Sequence, residues 1–294
     1  MELFDKQSNW YKGNLHTHTT VSDGVKTPEE CIRLYREAGY SFLAITDHRI
    51  FTEGYADDGF LLLNATEFDT TDYKMRKAYH ITGIGIEGEV ALGTSFTPQD
   101  IIDGINNKNG LAIIAHPYWS LMTHADIMEL HNYHGIEIWN TVSESHSSRG
   151  DSTSYADVLA SKGYLPLLLA VDDTHFYTTD AFGGYIMVNC KSLTAGDILK
   201  NIREGRFYCS QAPEIKQISV ENGRITVETS PVSQISFVSD SFYCSNRICR
   251  KDGELITGGS YEINVSDSIV RIECTDCNGK KAWSQLLQLK KFMV

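Results

Sequence analysis

Short apolar runs punctuate the first two hundred residues, and each ends on polar or ionisable positions. SFLAITDH (41–48) ends on Asp47 and His48, LLLNATEF (61–68) closes on Glu67, and LAIIAHPY (111–118) on His116. GIEIWN (135–140) ends on Asn140, and LPLLLAVDDTH (165–175) on Asp172, Asp173 and His175. Continuous apolar runs of this length read as strands buried on both faces, as in parallel sheets. Between several of them the pattern turns helical. TPEECIRLYREAGY (27–40) and TPQDIIDGINNKNG (97–110) open on a Thr cap with Pro at the first helical position and stop at Gly; 151–164 and 194–206 close in the same way. This alternation predicts an α/β barrel or an open doubly wound sheet. After residue 210 the pattern changes to short alternating strands. EIKQISVENGRITVETS alternates around Asn222-Gly223, a type I′ hairpin signal. The chain therefore divides into 1–210 and a small antiparallel β-sandwich-like domain, 211–294, with the boundary near CSQAPE.

Charge sharpens this division. The net charge is −12. Residues 211–294 hold ten basic and ten acidic side chains, so the whole excess lies in 1–210. That argues against a general binder of nucleic acid or anionic membrane and fits a region that carries cations. No apolar run approaches the ~18 residues that span a bilayer, and MELFDKQSNW lacks the pattern of a signal peptide. Seven scattered cysteines suit a reducing cytoplasm, so a cytoplasmic protein is expected.

The candidate chemistry sits at the strand ends. In NLHTHTTVSDG (14–24), His16 and His18 at i and i+2 point to one side of a strand, and Asp23 follows. Alone they could be a metal claw or a surface pair. Together with His48, Glu67, His116, Asp173 and His175 they form a set at the carboxyl ends of different strands, the end at which barrel active sites gather. Imidazole and carboxylate ligands without thiolates suit Mn, Fe or Zn in a multinuclear hydrolytic site.

His16-Thr17-His18, Thr46-Asp47-His48, Glu67, Ala115-His116-Pro117 and Asp173-Thr174-His175 resemble the ordered motifs of the polymerase-and-histidinol-phosphatase (PHP) family of metal-dependent phosphoesterases, over roughly residues 10–210. GNLHTHTTVSDG followed by TPEE and AITDH, with a β domain behind, is most similar to the branch named after carbaryl hydrolases. The resemblance implies a distorted (β/α)7 TIM-like barrel holding two or three divalent metals. One metal would be held by His16, His18, Glu67 and Asp173. A second would share Glu67 and add His80, from KAYHITGIG, and His116; a third would take Asp23, His48 and His175. A hydroxide bridging two such metals is a nucleophile at neutral pH. The implied function is hydrolysis of a small phosphate ester, with a carboxylic ester or carbamate as the alternative substrate on the same site.

Other residues are expected around it. Asp47 would orient a ligand imidazole or cap the following segment. Arg149, in SESHSSRGD (143–151), would fork to a phosphate, and His146 would donate or ligate. Lys74, Arg76 and Lys77 lie near the Glu67 strand, Tyr118 and Trp119 could wall the substrate, and His124, His131 and His134 read as surface residues. Cys244, Cys249, Cys274 and Cys277 could form a four-thiolate zinc knot or stay free thiols. Two rival readings make different demands of these residues. An amidohydrolase barrel expects a bridging lysine where Glu67 stands, and a non-catalytic module expects missing ligands. Nothing in the sequence fixes the oligomeric state.

Overall fold

A computed structural model describes residues 1–291 apart from Met75 and Cys244. The protein is mixed α/β. The strands form two arcs around one core, to which Leu15, Phe42, Leu63, Ile81, Ile113, Ile138, Leu169, Ile186 and Phe207 all contribute. In the first arc Asn9–Asn14, Phe42–Ala44 and Phe60–Leu63 pair in parallel. Tyr185–Cys190 joins the other side of Asn9–Asn14 antiparallel. The second arc runs Ala65–Asp72, Lys77–Ile84, Leu111–Ile114, Gly135–Asn140, Leu167–Val171. Its first three strands are antiparallel and its last three parallel.

The expected continuous barrel ladder is absent among the described residues, and the reason is local. At Asn64 the chain leaves one arc for the other. Its side chain takes the Gly54 N–H (2.6 Å) and donates to the Ile86 carbonyl (2.8 Å), in place of strand pairing. On the other side, the amides of Phe182, Gly183 and Gly184 donate to the buried Asp172 carboxylate rather than to a strand. A Cβ on Gly184 would lie 2.6 Å from the Val171 carbonyl, so only glycine passes there. Across the seams the arcs meet through isolated bridges, Thr17 with Thr174 at one and His48 with Glu67 and Thr52 with Ala65 at the other.

The helices form as their caps dictate. Thr27 and Thr97 make capping boxes with Glu30 and Asp100 ahead of Pro28–Glu37 and Pro98–Asn106. Asn222 and Gly223 both take positive φ (49° and 72°), as a type I′ turn between Ile215–Glu221 and Arg224–Val232 requires. These two strands and Ile256–Glu262 form a separate antiparallel three-stranded sheet. The remaining C-terminal strands do not form an independent sheet. Lys281–Trp283 pairs with Phe207–Ser210, so the first arc's ladder runs on past residue 210 through Ile269–Thr275 to Gln234–Ser239. A second core, with Ile218, Val227, Phe237 and Ile272, fills the space between, and Phe4 and Tyr208 join it from outside 211–294. Among the described residues no helix is long and apolar enough to cross a membrane.

Candidate metal centre

Where the arcs meet, the chain gathers six imidazoles and three carboxylates: His16, His18, Asp23, His48, Glu67, His80, His116, Asp173 and His175. Two backbone facts bring them there. The segment after Asn9–Asn14 bridges the segment after Leu167–Val171: Asp173 N–H donates to the His16 carbonyl (2.9 Å) and His18 N–H to that of Thr174 (3.0 Å). Lys77–Ile84 runs antiparallel to Ala65–Asp72, which explains why His80 stands early in its strand. Glu67 lies opposite Thr82, and His80 is the same-face neighbour two residues away. His116 and Asp173 hold left-handed backbone, φ 29° and 54°. Non-glycine residues in that region carry strain of about 1–3 kcal/mol and concentrate at functional sites.

The centre of the cluster is four atoms. His16 Nε2 and His18 Nε2 lie 3.1 Å apart. Glu67 Oε2 is 3.2 and 3.1 Å from them, and Asp173 Oδ1 is 3.1 and 3.2 Å. Yet Glu67 Oε2 and Asp173 Oδ1 make no hydrogen bond, although both are buried, and neither does His48 Nδ1, 3.2 Å from Glu67 Oε2. A buried carboxylate oxygen without a partner is costly. A cation would relieve it: neighbouring ligand atoms about 2.0 Å from a tetrahedral metal stand about 3.3 Å apart, close to the five spacings above. The residues present therefore fit divalent metal. Two flanking groups extend the row. Glu67 Oε1 is 2.8 Å from His80 Nδ1 and 4.0 Å from His116 Nε2, which is 3.7 Å from Asp173 Oδ2. At the other end Asp23 is 3.4–3.6 Å from His18, His48 and His175.

The electrostatics follow from this crowding. Burial opposes charge on His18, but the Asp173 and Glu67 carboxylates hold its pKa up at about 9. Burial also opposes charge on His16, and Asp173, Glu137 and Glu67 raise it well above the ordinary value. His116, buried and beside His80, is pushed down to about 3. Against their own burial, Glu67 and Asp173 stay far below the usual carboxylate range because of the imidazoles around them.

Several supports were not singled out from sequence. Buried Glu137 lies 2.7 Å from His16 Nδ1, fixing the proton there and turning Nε2 to the cluster. It also accepts from the His116 amide and from Asn140, which bonds Asp173 as well. Its signal was visible: an acid inside the apolar run GIEIWN. Ser120 Oγ is 3.0 Å from His116 Nδ1.

The remaining expected residues fall out differently. Asp47 bonds no imidazole. It accepts from Thr19 and from the Ser22 hydroxyl, and Ser22 Oγ is 3.3 Å from His18 Nδ1. It thus acts on the loop between His18 and Asp23. A cavity of about 300 Å³ opens over the row, with Trp119, Val142, Ser143, His146 and Phe176 in its lining. Arg149 does not line it. Residues Thr141–Ser147 form a helix capped by Asn140, the chain reverses at Ser148 (φ 55°), and the guanidinium lies 6.0 Å from the Tyr118 ring. Lys77 is paired with Asp126 (2.5 Å), and Lys74 and Arg76 are exposed outside the cavity. His131 is exposed, but His124 packs at a tilt against the Tyr155 ring and His134 accepts from the Ala112 amide, so these two are half-buried packing residues. Cys249, Cys274 and Cys277 are free and join no ligand group among the described residues; Cys244 lies outside them.

No family model matches the chain. An uncharacterized protein of Methanocaldococcus jannaschii is 27% identical over 124 residues, covering 36% of this chain and 68% of that protein. Among solved structures, a two-domain protein from Bacteroides vulgatus containing a predicted PHP-like metal-dependent phosphoesterase matches over 96% of each chain, with a TM-score of 0.56 at 14% identity. An amidohydrolase from Chromobacterium violaceum, with bound sulfate and no metal, matches 57% of this chain and 89% of its own, with a TM-score of 0.43 at 18% identity. The first likeness extends over nearly the whole chain and shows a shared fold.

Proposed function

We propose that this chain is a metal-dependent hydrolase of small phosphate esters, with a PHP-type site that holds two or three divalent ions. The observation that carries the reading is the pair of orphaned, buried oxygens of Glu67 and Asp173 set 3.1–3.2 Å from imidazole nitrogens. His16, His18, Glu67 and Asp173 would hold one metal, Glu67, His80 and His116 a second, and Asp23, His48 and His175 a third; Mn, Fe or Zn suits this donor set. Bound metals supply Lewis acidity and make water nucleophilic near neutral pH. The residues do the rest. Glu67 directs one oxygen to each side of the row, Glu137 and Ser120 fix the His16 and His116 rings, and Asp47 holds the loop that carries Asp23. His146, at the mouth, would give a proton to the leaving oxygen. The net reaction is water attack at phosphorus, cleavage of the ester P–O bond, and release of an alcohol and phosphate.

The acidic excess of 1–210 and the lack of a basic track favour a small molecule over a nucleic-acid strand. A cytoplasmic, PHP-type enzyme of the carbaryl-hydrolase-like branch is the finer reading. One observation favours the alternative, a carboxylic ester or carbamate: no Lys or Arg is among the cavity's described lining residues. Phosphate release from a panel of monoesters and nucleoside monophosphates by Mn- or Zn-loaded protein, run beside uncharged aryl esters and single-stranded DNA, decides. The reading expects phosphate release from small monoesters. Turnover of uncharged esters alone would replace it with the alternative, and preference for the polymer would contradict it.

A further inference from the structure

The cavity's wall is unlike its floor. The floor is imidazole and carboxylate. The wall carries Trp119 at one end and Phe176 with His146 at the other. Trp119 packs edge-on against His116 and His80, with centroids 4.8 and 5.6 Å away. Phe176 lies against His175 and stacks on His146 at 5.0 Å with only 12° between the planes. The aromatics therefore stand over opposite ends of the ligand row, one above the His80–His116 group and one above the His175 group. Both stay substantially in solvent, Trp119 40% and Phe176 44% exposed, so neither is spent on the core. Exposed apolar rings at the rim of a polar cavity are what a ligand with a flat apolar part would cover.

Charge and chemistry narrow the ligand further. The described lining offers no Lys or Arg, and Asp23, about half exposed, faces the cavity. A second anionic group on the substrate would find no partner and would be repelled. Apart from the ligand row, His146 is the one ionisable side chain among the described lining residues that could protonate a leaving oxygen, which suits a phenol-like alcohol, whose pKa near 10 makes it a better leaving group than an alkoxide.

We infer that the substrate is the phosphate monoester of a flat aromatic alcohol, its ring gripped between Trp119 and the Phe176–His146 stack. This rests on the phosphoesterase reading above. In the reaction water's oxygen forms the new P–O bond, the aryl-oxygen-to-phosphorus bond breaks, and the aryloxide leaves and takes up a proton.

The test avoids leaving-group effects by using molecules with no ester bond. Benzylphosphonate and propylphosphonate are titrated calorimetrically into Mn-loaded full-length protein. Benzylphosphonate should bind at least tenfold tighter, about 1.4 kcal/mol. Trp119→Ala and Phe176→Ala should each bring it down towards the propylphosphonate level, while Trp119→Phe keeps most of the preference. Equal affinities in the wild type, or a preference that survives both alanine variants, would overturn the inference. If affinities are equal but small monoesters still release phosphate, only the aromatic grip is lost. If neither phosphonate binds and no ester is hydrolysed, the phosphoesterase reading falls and takes this inference with it.

Discussion

Glu67 presents its two carboxylate oxygens to different histidines, Oε1 to His80 and Oε2 to His16, His18 and His48. Asp23 serves only the outer group. Glu67→Gln should therefore lower metal content and kcat/KM more than Asp23→Asn, as read by elemental analysis and phosphate release; equal losses with unchanged metal would contradict the shared role of Glu67. Glu137 touches His16 through the far ring nitrogen, so Glu137→Gln should weaken metal affinity about 10–100-fold with all nine candidate ligands intact. His18 makes a pH prediction. Its pKa in the folded, metal-free protein is about 9, above the ordinary 6.5. Its stabilising contribution is then fully present below about 6.5 and lost as pH rises through about 9. Metal must displace that proton, so loading at pH 7 should release protons in proportion to buffer-dependent heat, and affinity should rise towards pH 9. At this scale the sequence was informative for the candidate ligands because seven of the nine stand at or just past the ends of apolar runs; Asp23 lies in a loop and His80 within a strand. Arg149 was expected over the site; its guanidinium lies 6.0 Å from the Tyr118 ring instead, and nothing in SESHSSRGD announces the reversal at Ser148 that takes it there.

Among elements, the strand Ile269–Thr275 carries the tie between the two halves. Buried Arg271 forks to Asp157 of the helix Thr153–Ser161 at 2.6 and 2.9 Å and also bonds Glu273 at 3.0 Å. Glu273 further takes Lys281 at 2.9 Å and the Trp283 indole at 3.1 Å. Arg271 is buried, but Asp157 is about a third exposed and Glu273 keeps Lys281 and Trp283, so Arg271→Met should cost about 1–3 kcal/mol in urea unfolding. Burial opposes ionisation of Glu273, but Arg271 and Lys281 hold its carboxyl below the ordinary 4.5. That stability is present above about 4.5 and lost as pH falls below it. The fall in Tm between pH 5 and pH 3 should be smaller in Glu273→Gln than in the wild type. The helices were legible from their Thr-Pro caps and the hairpin from Asn222-Gly223, because these are local signals. The antiparallel turn of Lys77–Ile84 and the pairing of Phe207–Ser210 with Lys281–Trp283 were not, because hydrogen-bonded partners far apart in sequence leave no periodic mark.

For the whole molecule, the C-terminal residues complete the first core. Trp283 is fully buried in it, and the Gln285 side chain accepts from the Leu168 amide and donates to the Leu168 carbonyl, taking the place of a strand beside Leu167–Val171. A 1–210 fragment should therefore be poorly folded rather than an active core, which far-UV circular dichroism and thermal melting would read; a cooperative, metal-binding fragment would contradict this. The acidic excess lies in 1–210, which also supplies the site's three carboxylates, and bound cations would offset part of it. The most direct measurement is metal stoichiometry. Purified protein is stripped with chelator, reloaded with Mn or Zn, passed free of excess ion and analysed by plasma mass spectrometry beside Glu67→Gln. The account predicts two to three metals per wild-type chain and a clear deficit in the variant; fewer than one per wild-type chain after loading would contradict it.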